Sequence, residues 1–297
     1  MTIQVETPES LFLATSFDQI LEDIDRSPHL FQPQVPFRLE NEHLPQVAGN
    51  IAHCMSLGHS FVEQDTHIGQ RGVIVGKGPG LTAPGVIEGL KFEASQGAKF
   101  IAVKEAADWL IDHGLPCHYA FNCDQAPHQP KRMRATGDRG YLLATNCHPD
   151  LFRHLAGCRI QVFHSATGAP GELEAFSKWH GPVSYQGFNA TTRAVPIAVR
   201  MGFKVPILMA GCDYGWKVGQ TLYADGMING GILDGQYMMI GSAYEGRTWI
   251  TKQDLFYSAI GTAKLVMRGW VEMAGPSLAT DILDEPGMAG EYWDLVA

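Results

Sequence analysis

From Arg71 onward, short apolar runs alternate with stretches whose apolar residues recur at helical spacing, and no other feature limits the fold of this 297-residue chain as tightly. The runs are Gly72 to Val75, Lys99 to Val103, His118 to Phe121, Tyr141 to Ala144, Arg159 to Phe163 and Val205 to Ala210. Between them lie helical candidates at Ala83 to Ser95, Glu105 to Asp112, Pro149 to Leu155 and Thr191 to Met201. Neighbouring parallel strands need a long crossover, and a helix supplies it, so this order predicts a largely parallel sheet covered by helices on both faces. The fold class expected is α/β and Rossmann-like.

The flanks read differently. Leu11, Leu13, Phe17, Ile20, Leu21 and Ile24 recur near the 3.6-residue period, and a second helical candidate spans Glu42 to Leu57, with a joint at Pro33 and Pro36 between them. After Asp213 glycine is frequent (Gly215, Gly219, Gly226, Gly230, Gly231, Gly235, Gly241, Gly246), which suggests a long loop able to close over a ligand, and a final helix is expected from Lys252 to Glu272. No segment approaches the roughly 20 uninterrupted apolar residues that span a bilayer. The acidic first residues lack the basic and apolar regions of a secretory signal, so the expected location is cytoplasmic and no membrane partner is expected. Six cysteines without a CxxC pair argue against both a zinc site and a disulfide framework; most should be reduced, buried thiols. A formal net charge of −9 argues against broad nucleic-acid binding. The basic stretch Lys131-Arg132-Met133-Arg134 is the local exception and reads as a solvated loop, with phosphate binding as the alternative.

In Val73-Ile74-Val75-Gly76-Lys77-Gly78-Pro79-Gly80-Leu81 an apolar strand runs straight into glycines and then into a helix. Glycine lets backbone approach an anion closely, and a helix N-terminus presents free N–H groups, so Gly76, Lys77, Gly78, Pro79 and Gly80 are candidates for holding phosphate. The turn lacks the Gly-Lys-Ser/Thr ending of a P-loop. It also lacks a dinucleotide fingerprint, and the second strand ends in Lys104 where an acid would be wanted. Parallel sheets bind ligands beyond the carboxyl ends of their strands. Those ends deliver Lys104, Asn122, Asp124, Asn146, His148, His164, Ser165 and Asp213, and this convergence of polar groups is the functional signal. Asp124 is the candidate magnesium ligand, since magnesium takes one or two carboxylates beside phosphate. His148 and Asp213 are the candidate catalytic residues, the imidazole because it titrates near neutrality. Asn189, Thr191 and Thr192 open a helix whose first amides face outward. Each of these has a structural alternative as a cap or loop residue. Tyr214 and Trp216 could stack on a planar ligand ring or equally pack the loop.

At these residues the sequence becomes familiar. Val73 to Leu81, Lys104-Glu105-Ala106-Ala107-Asp108-Trp109-Leu110, Gly114-Leu115-Pro116 leading to Asp124, and Gly187-Phe188-Asn189-Ala190-Thr191-Thr192 leading to Gly211-Cys212-Asp213 resemble the 6-hydroxymethylpterin pyrophosphokinase (MptE-like) family, in order and spacing, over about Arg71 to Gly269. Leu142 to Pro149 looks like a subgroup of bacterial and phage-encoded members. The family also includes motility accessory factor glycosyltransferases, and its core looks like that of bacterial sialyltransferases using CMP-activated sugars. The resemblance implies a transferase with a nucleotide or nucleotide-sugar donor, most simply a glycosyltransferase acting on an acceptor hydroxyl. Its alternatives are a pyrophosphokinase moving diphosphate from ATP to a hydroxymethylpterin, and a noncatalytic binding or assembly protein that kept the fold. On it, Lys77, Lys104, Asn122, Asn189, Thr191 and Thr192 face the nucleotide and phosphates, and Asp124 positions Mg²⁺. Three departures stand out: Gly80 replaces the usual serine, Lys77 and Lys104 replace asparagines, and no histidine follows His180, where the sialyltransferases use one. The implied organisation is an N-terminal helical extension (1–66), a nucleotide-binding core (67–214) and a Gly-rich lid with a C-terminal helix (215–297).

Overall fold

The computed structural model describes residues 13–14, 46–167, 169, 171–184, 189–217, 223–224, 237–241 and 248–285. Among them a ten-stranded sheet dominates. In chain order its strands are β1 (Leu13–Ala14), β2 (Ser60–Phe61), β3 (Arg71–Val75), β4 (Lys99–Val103), β5 (Tyr119–Asn122), β6 (Gly140–Ala144), β7 (Arg159–Ser165), β8 (Val183–Ser184), β9 (Lys204–Ala210) and β13 (Val271–Ala274). They lie in the order β1-β8-β7-β6-β5-β4-β3-β9-β13, with β2 pairing β7 off this path. Every pairing is parallel except that of β1 with β8. Three further strands, β10 (Trp216–Lys217), β11 (Tyr237–Gly241) and β12 (Thr248–Lys252), form a small antiparallel sheet in the order β10-β12-β11.

Eight helices among the described residues flank these sheets: α1 (Val47–Ser56), α2 (Val86–Ser95), α3 (Ala106–Asp112), α4 (Pro149–His154), α5 (Glu172–Lys178), α6 (Ala190–Arg200), α7 (Gln253–Met267) and α8 (Leu278–Asp284). The central strands are apolar without a break because both faces are covered: Val73, Ile74, Val75, Phe100, Ile101, Ala102, Phe121 and Leu142 are all fully buried in one continuous core. A smaller cluster of Val47, Ile51, Phe176 and Val183 joins α1 and α5 to the β8 edge.

The six anticipated strands are present, and the Rossmann-like α/β class is the one observed. Three expectations at the flanks change. Leu13–Ala14, inside the first anticipated helix, is a strand pairing with β8; the rest of that candidate lies outside the described residues. Of the Gly-rich stretch, Gly215 and Gly241 are described, and the β10-β12-β11 sheet stands in part of the region read as loop, while Gly219, Gly226, Gly230, Gly231, Gly235 and Gly246 lie outside the described residues. The final helix is fifteen residues long, opening at Gln253 and ending at Met267. Gly269 takes a left-handed φ of 73°, and its amide and that of Trp270 fold back on Val266 and Leu265, closing the helix so that β13 can pair with β9.

The strand order reverses beside β3. Chain order runs outward from β3 through β4, β5, β6, β7 and β8, then crosses to β9 on the other side. The crevice at the carboxyl ends of β3 and β9 is therefore the topological switch point, where open sheets of this kind receive ligands.

Candidate functional site

The turn after β3 is built against the turn after β9. Gly76 N–H donates to the Ala210 carbonyl at 2.8 Å and Gly78 N–H to the Gly211 carbonyl at 2.7 Å, while Gly80 N–H donates to Asp213 Oδ2 at 3.0 Å. A methyl group on Gly78 would overlap the Asp213 carboxylate, lying 2.6 Å from its Cγ, and one on Gly80 would lie 3.0 Å from the same carbon. These glycines are required because Asp213 and the β9 exit pass directly over them. This corrects the anticipated cradle: the amides of Gly76, Gly78 and Gly80 are engaged within the chain, and Pro79, which opens a one-turn 3₁₀ helix, has no amide to offer.

The cation expected beside that turn is in place, and it has company. Lys77 Nζ is 3.2 Å from Glu105 Oε2 and lies 3.9 Å from the centre of the Tyr223 ring. Arg132 Nη1 is 3.2 Å from Glu105 Oε1, and Lys104 Nζ is 2.8 Å from Asp124 Oδ2. Burial pushes the Lys77 ammonium down to about 8, helped by the charges of Lys104 and Arg132 and opposed by Glu105. For Asp124, burial acts to raise the carboxyl, but the charge and hydrogen bond of Lys104 and the Ala126 amide outweigh it and hold the group at about 2. The same pair raises Lys104 above the ordinary lysine value although burial alone would lower it. Lys104 adopts a left-handed φ of 53°, a conformation that L side chains other than asparagine and aspartate seldom take. Such strain persists where surrounding structure imposes it, and here it turns the lysine from the end of β4 to Asp124 beyond β5.

The loop after β5 is locked from within. Asn122, fully buried, donates to Gln129 Oε1 and accepts the Asp124 amide, and Gln129, also fully buried, donates to Asp124 Oδ2 at 2.8 Å. Asn122 is thus a structural brace, which corrects its assignment to the nucleotide. Asp124 accepts from Lys104, Gln129 and the Ala126 amide, so its two oxygens already serve three donors. No group of three or more His, Cys, Asp or Glu side chains among the described residues could hold a metal ion. The donor set does not fit a magnesium ion held by the protein, because the Lys104 ammonium occupies the cation position on Asp124.

The remaining candidates are placed as follows. His148 caps α4: its Nδ1 accepts the Asp150 amide at 3.2 Å, so the neutral ring carries its proton on Nε2 and has no free acceptor nitrogen. That argues against His148 as a base. Asp213, 4% exposed, has its carboxyl raised by burial to about 7, with the Gly80 amide pulling the other way. Asn189 and Thr192 form a reciprocal capping box on α6, which accounts for both without a ligand. Thr191 donates to Asn189 Oδ1 and its methyl packs 3.0 Å from where a Gly76 side chain would start, so the α6 N-terminus does reach the β3 turn. Tyr214 and Trp216 are buried, Tyr214 with its hydroxyl 2.8 Å from Thr262 Oγ1, and neither is presented for stacking. His164 is a core residue between Thr145 and the Trp179 carbonyl, its pKa lowered by burial to about 4. All six cysteines are free thiols, four of them buried.

Glu105 was not among the candidates, and Arg132 entered only through the alternative reading of its stretch as phosphate-binding. Arg132 lay in a stretch read as solvated, yet its side chain is only 13% exposed. The signal for Glu105 was its position: an acid between Val103-Lys104 and Ala106-Ala107, where a buried strand end passes into a buried helix start.

Comparisons with known proteins bear on this arrangement. The family model described as 6-hydroxymethylpterin diphosphokinase MptE-like matches residues 45–219, more than half of the chain and the part that contains every group of the cluster. No curated protein matches the sequence. Among solved structures, the MAf glycosyltransferase from Magnetospirillum magneticum AMB-1 is similar in fold, with a TM-score of 0.57 and 12% sequence identity over 87% of this chain. The chain spans 40% of the length of that protein. No helix among the described residues is long and apolar enough to cross a membrane.

Proposed function

This chain belongs to the MptE-like family, and from that premise we propose that it is a transferase using a nucleotide-activated donor, whose phosphates sit beyond the carboxyl ends of β3, β4 and β5. The observation that carries the proposal is the meeting of Lys77, Lys104, Glu105, Asp124 and Arg132 there, from three different strand ends. Buried cations that outnumber the carboxylates paired with them are gathered at such cost mainly where an anion arrives to meet the excess. The transferred group is a sugar and the acceptor a hydroxyl; the fold shared with the MAf glycosyltransferase supports this choice. Lys77 and Lys104 supply the positive charge that leaving phosphate needs. Asp213, whose carboxyl titrates near neutrality, takes the proton from the acceptor. No step is assigned to magnesium, because Asp124 is committed to Lys104.

Calorimetry with CMP, UDP, GDP and ATP analogues, each with and without Mg²⁺, tests the reading. One of them is expected to bind, with an affinity that changes little on adding the metal. Binding of none removes the proposal. The family description favours one rival, diphosphate transfer from ATP to a hydroxymethylpterin; release of AMP in the presence of that acceptor would establish it in place of glycosyl transfer.

A further inference from the structure

Glu105 is the unusual member of the cluster. It is 7% exposed and lies 3.2 Å from both Lys77 and Arg132, yet neither of its oxygens makes a well-aligned hydrogen bond. Asp124, by contrast, is fully engaged. Glu105 therefore holds its two cations chiefly by charge, and a guanidinium that gives one edge to a carboxylate keeps other N–H groups for a second oxyanion. Arg132 is not a wandering surface arginine. It closes the 3₁₀ turn Gln129–Arg132, and Gln129 ties that turn to Asn122 and Asp124. Lys77 is faced by Glu105, Lys104 and Arg132 and by the Tyr223 ring. The net charge of the five ionised groups, three cations against two carboxylates, is positive, and water reaches all of them but Asp124 poorly.

We propose that Lys77 and Arg132 form a preset clamp for one phosphate group of the donor, and that Glu105 is the positioning residue that keeps both cations charged and converging. This deepens, and rests on, the reading of the site as one for a nucleotide-activated donor. Arg132 binds the oxyanion in a fork, Lys77 as a point charge, and Glu105 touches neither ligand nor reacting atoms. Removing the carboxylate leaves Lys77 facing only like charges, so its ammonium discharges at lower pH.

The test uses the full chain, with inorganic pyrophosphate, the nucleotide found to bind, and the corresponding phosphate-free nucleoside as probes, followed by calorimetry. Arg132→Gln is expected to weaken pyrophosphate and nucleotide by about tenfold or more while leaving the nucleoside unchanged, and Arg132→Lys to recover only part of the loss. For Glu105→Gln, the expected loss is about tenfold near pH 8 but less than about threefold near pH 6, where Lys77 stays protonated. Circular dichroism and thermal melts verify that each variant is folded, and Arg132→Lys serves if Glu105→Gln is not. Wild-type affinity in Arg132→Gln, or an equal loss at both pH values in Glu105→Gln, overturns the clamp. Wild-type binding of pyrophosphate without any nucleotide would sink the donor reading and leave the clamp standing; binding of neither sinks both.

Discussion

Asp213 is an ionisable group pressed against bare backbone, and its proton should be visible in the pH dependence of folding. Its carboxyl is raised from 3.8 to about 7 in the native state. Between those values the folded chain keeps a proton that the unfolded chain has released, so stability falls as pH rises from about 4 to about 7 and is flat above. Asn keeps a carbonyl oxygen for the Gly80 amide and has no proton to lose. Asp213→Asn should therefore remove a pH-dependent contribution of no more than about 4 kcal/mol over that range, read as the difference between the urea midpoints of the two proteins. An unchanged pH profile in the variant would mean that Asp213 titrates normally. At this scale the sequence revealed which residues gather but not how they pair. Lys77, Lys104, Asp124 and Asp213 all lie at the strand ends where polarity pointed. That Lys104 would neutralise Asp124, 20 residues on, or that Asp213 would fold over Gly78 and Gly80 from the far side of the domain sequence, depends on side-chain directions that spacing does not carry.

The turn between β3 and α2 shows how one element is shaped by another. Gly78 has no conformational need to be glycine; it needs to be bare because Asp213 lies on it. Gly78→Ala should cost about 2 kcal/mol or more, by overpacking against a carboxylate that has little room to retreat. In an Asp213→Ala background the same change should cost about 1 kcal/mol less, a coupling that a double-mutant cycle in urea would measure. Additivity would show that the clash lies elsewhere, for example with the Gly211 carbonyl, which is 2.9 Å from the same point. The long elements were legible because apolar periodicity survives averaging: β4 has the limits anticipated, and α2, α3, α4 and α6 depart by no more than three residues at either end. The two-residue strands β1, β2, β8 and β10 are too short to carry a period. The first half of β13 fell within the end of an anticipated helix, although Arg268-Gly269 is a helix-ending signal that marks the boundary.

The whole molecule carries a formal charge of −9, while the cationic side chains of the crevice cluster are three, two-thirds of whose charge is answered by Glu105 and Asp124. A small anion that fits the crevice meets positive charge at short range; a polyanion lying across the surface meets mainly repulsion. The chain should accordingly pass through a heparin column without retention at about 0.15 M salt, where a basic nucleic-acid surface would be held. Retention reversed by Arg132→Gln would instead indicate an extended basic track leading from the crevice. The direct seam between the tips of β3 and β9 also governs how cargo gets in. With the Gly76 and Gly78 amides tied to the Ala210 and Gly211 carbonyls, the two wings of the sheet are stitched at their common hem. They cannot be spread like a book without tearing those stitches, so whatever is delivered must descend onto the tips from above, and breathing is left to the loops around the rim.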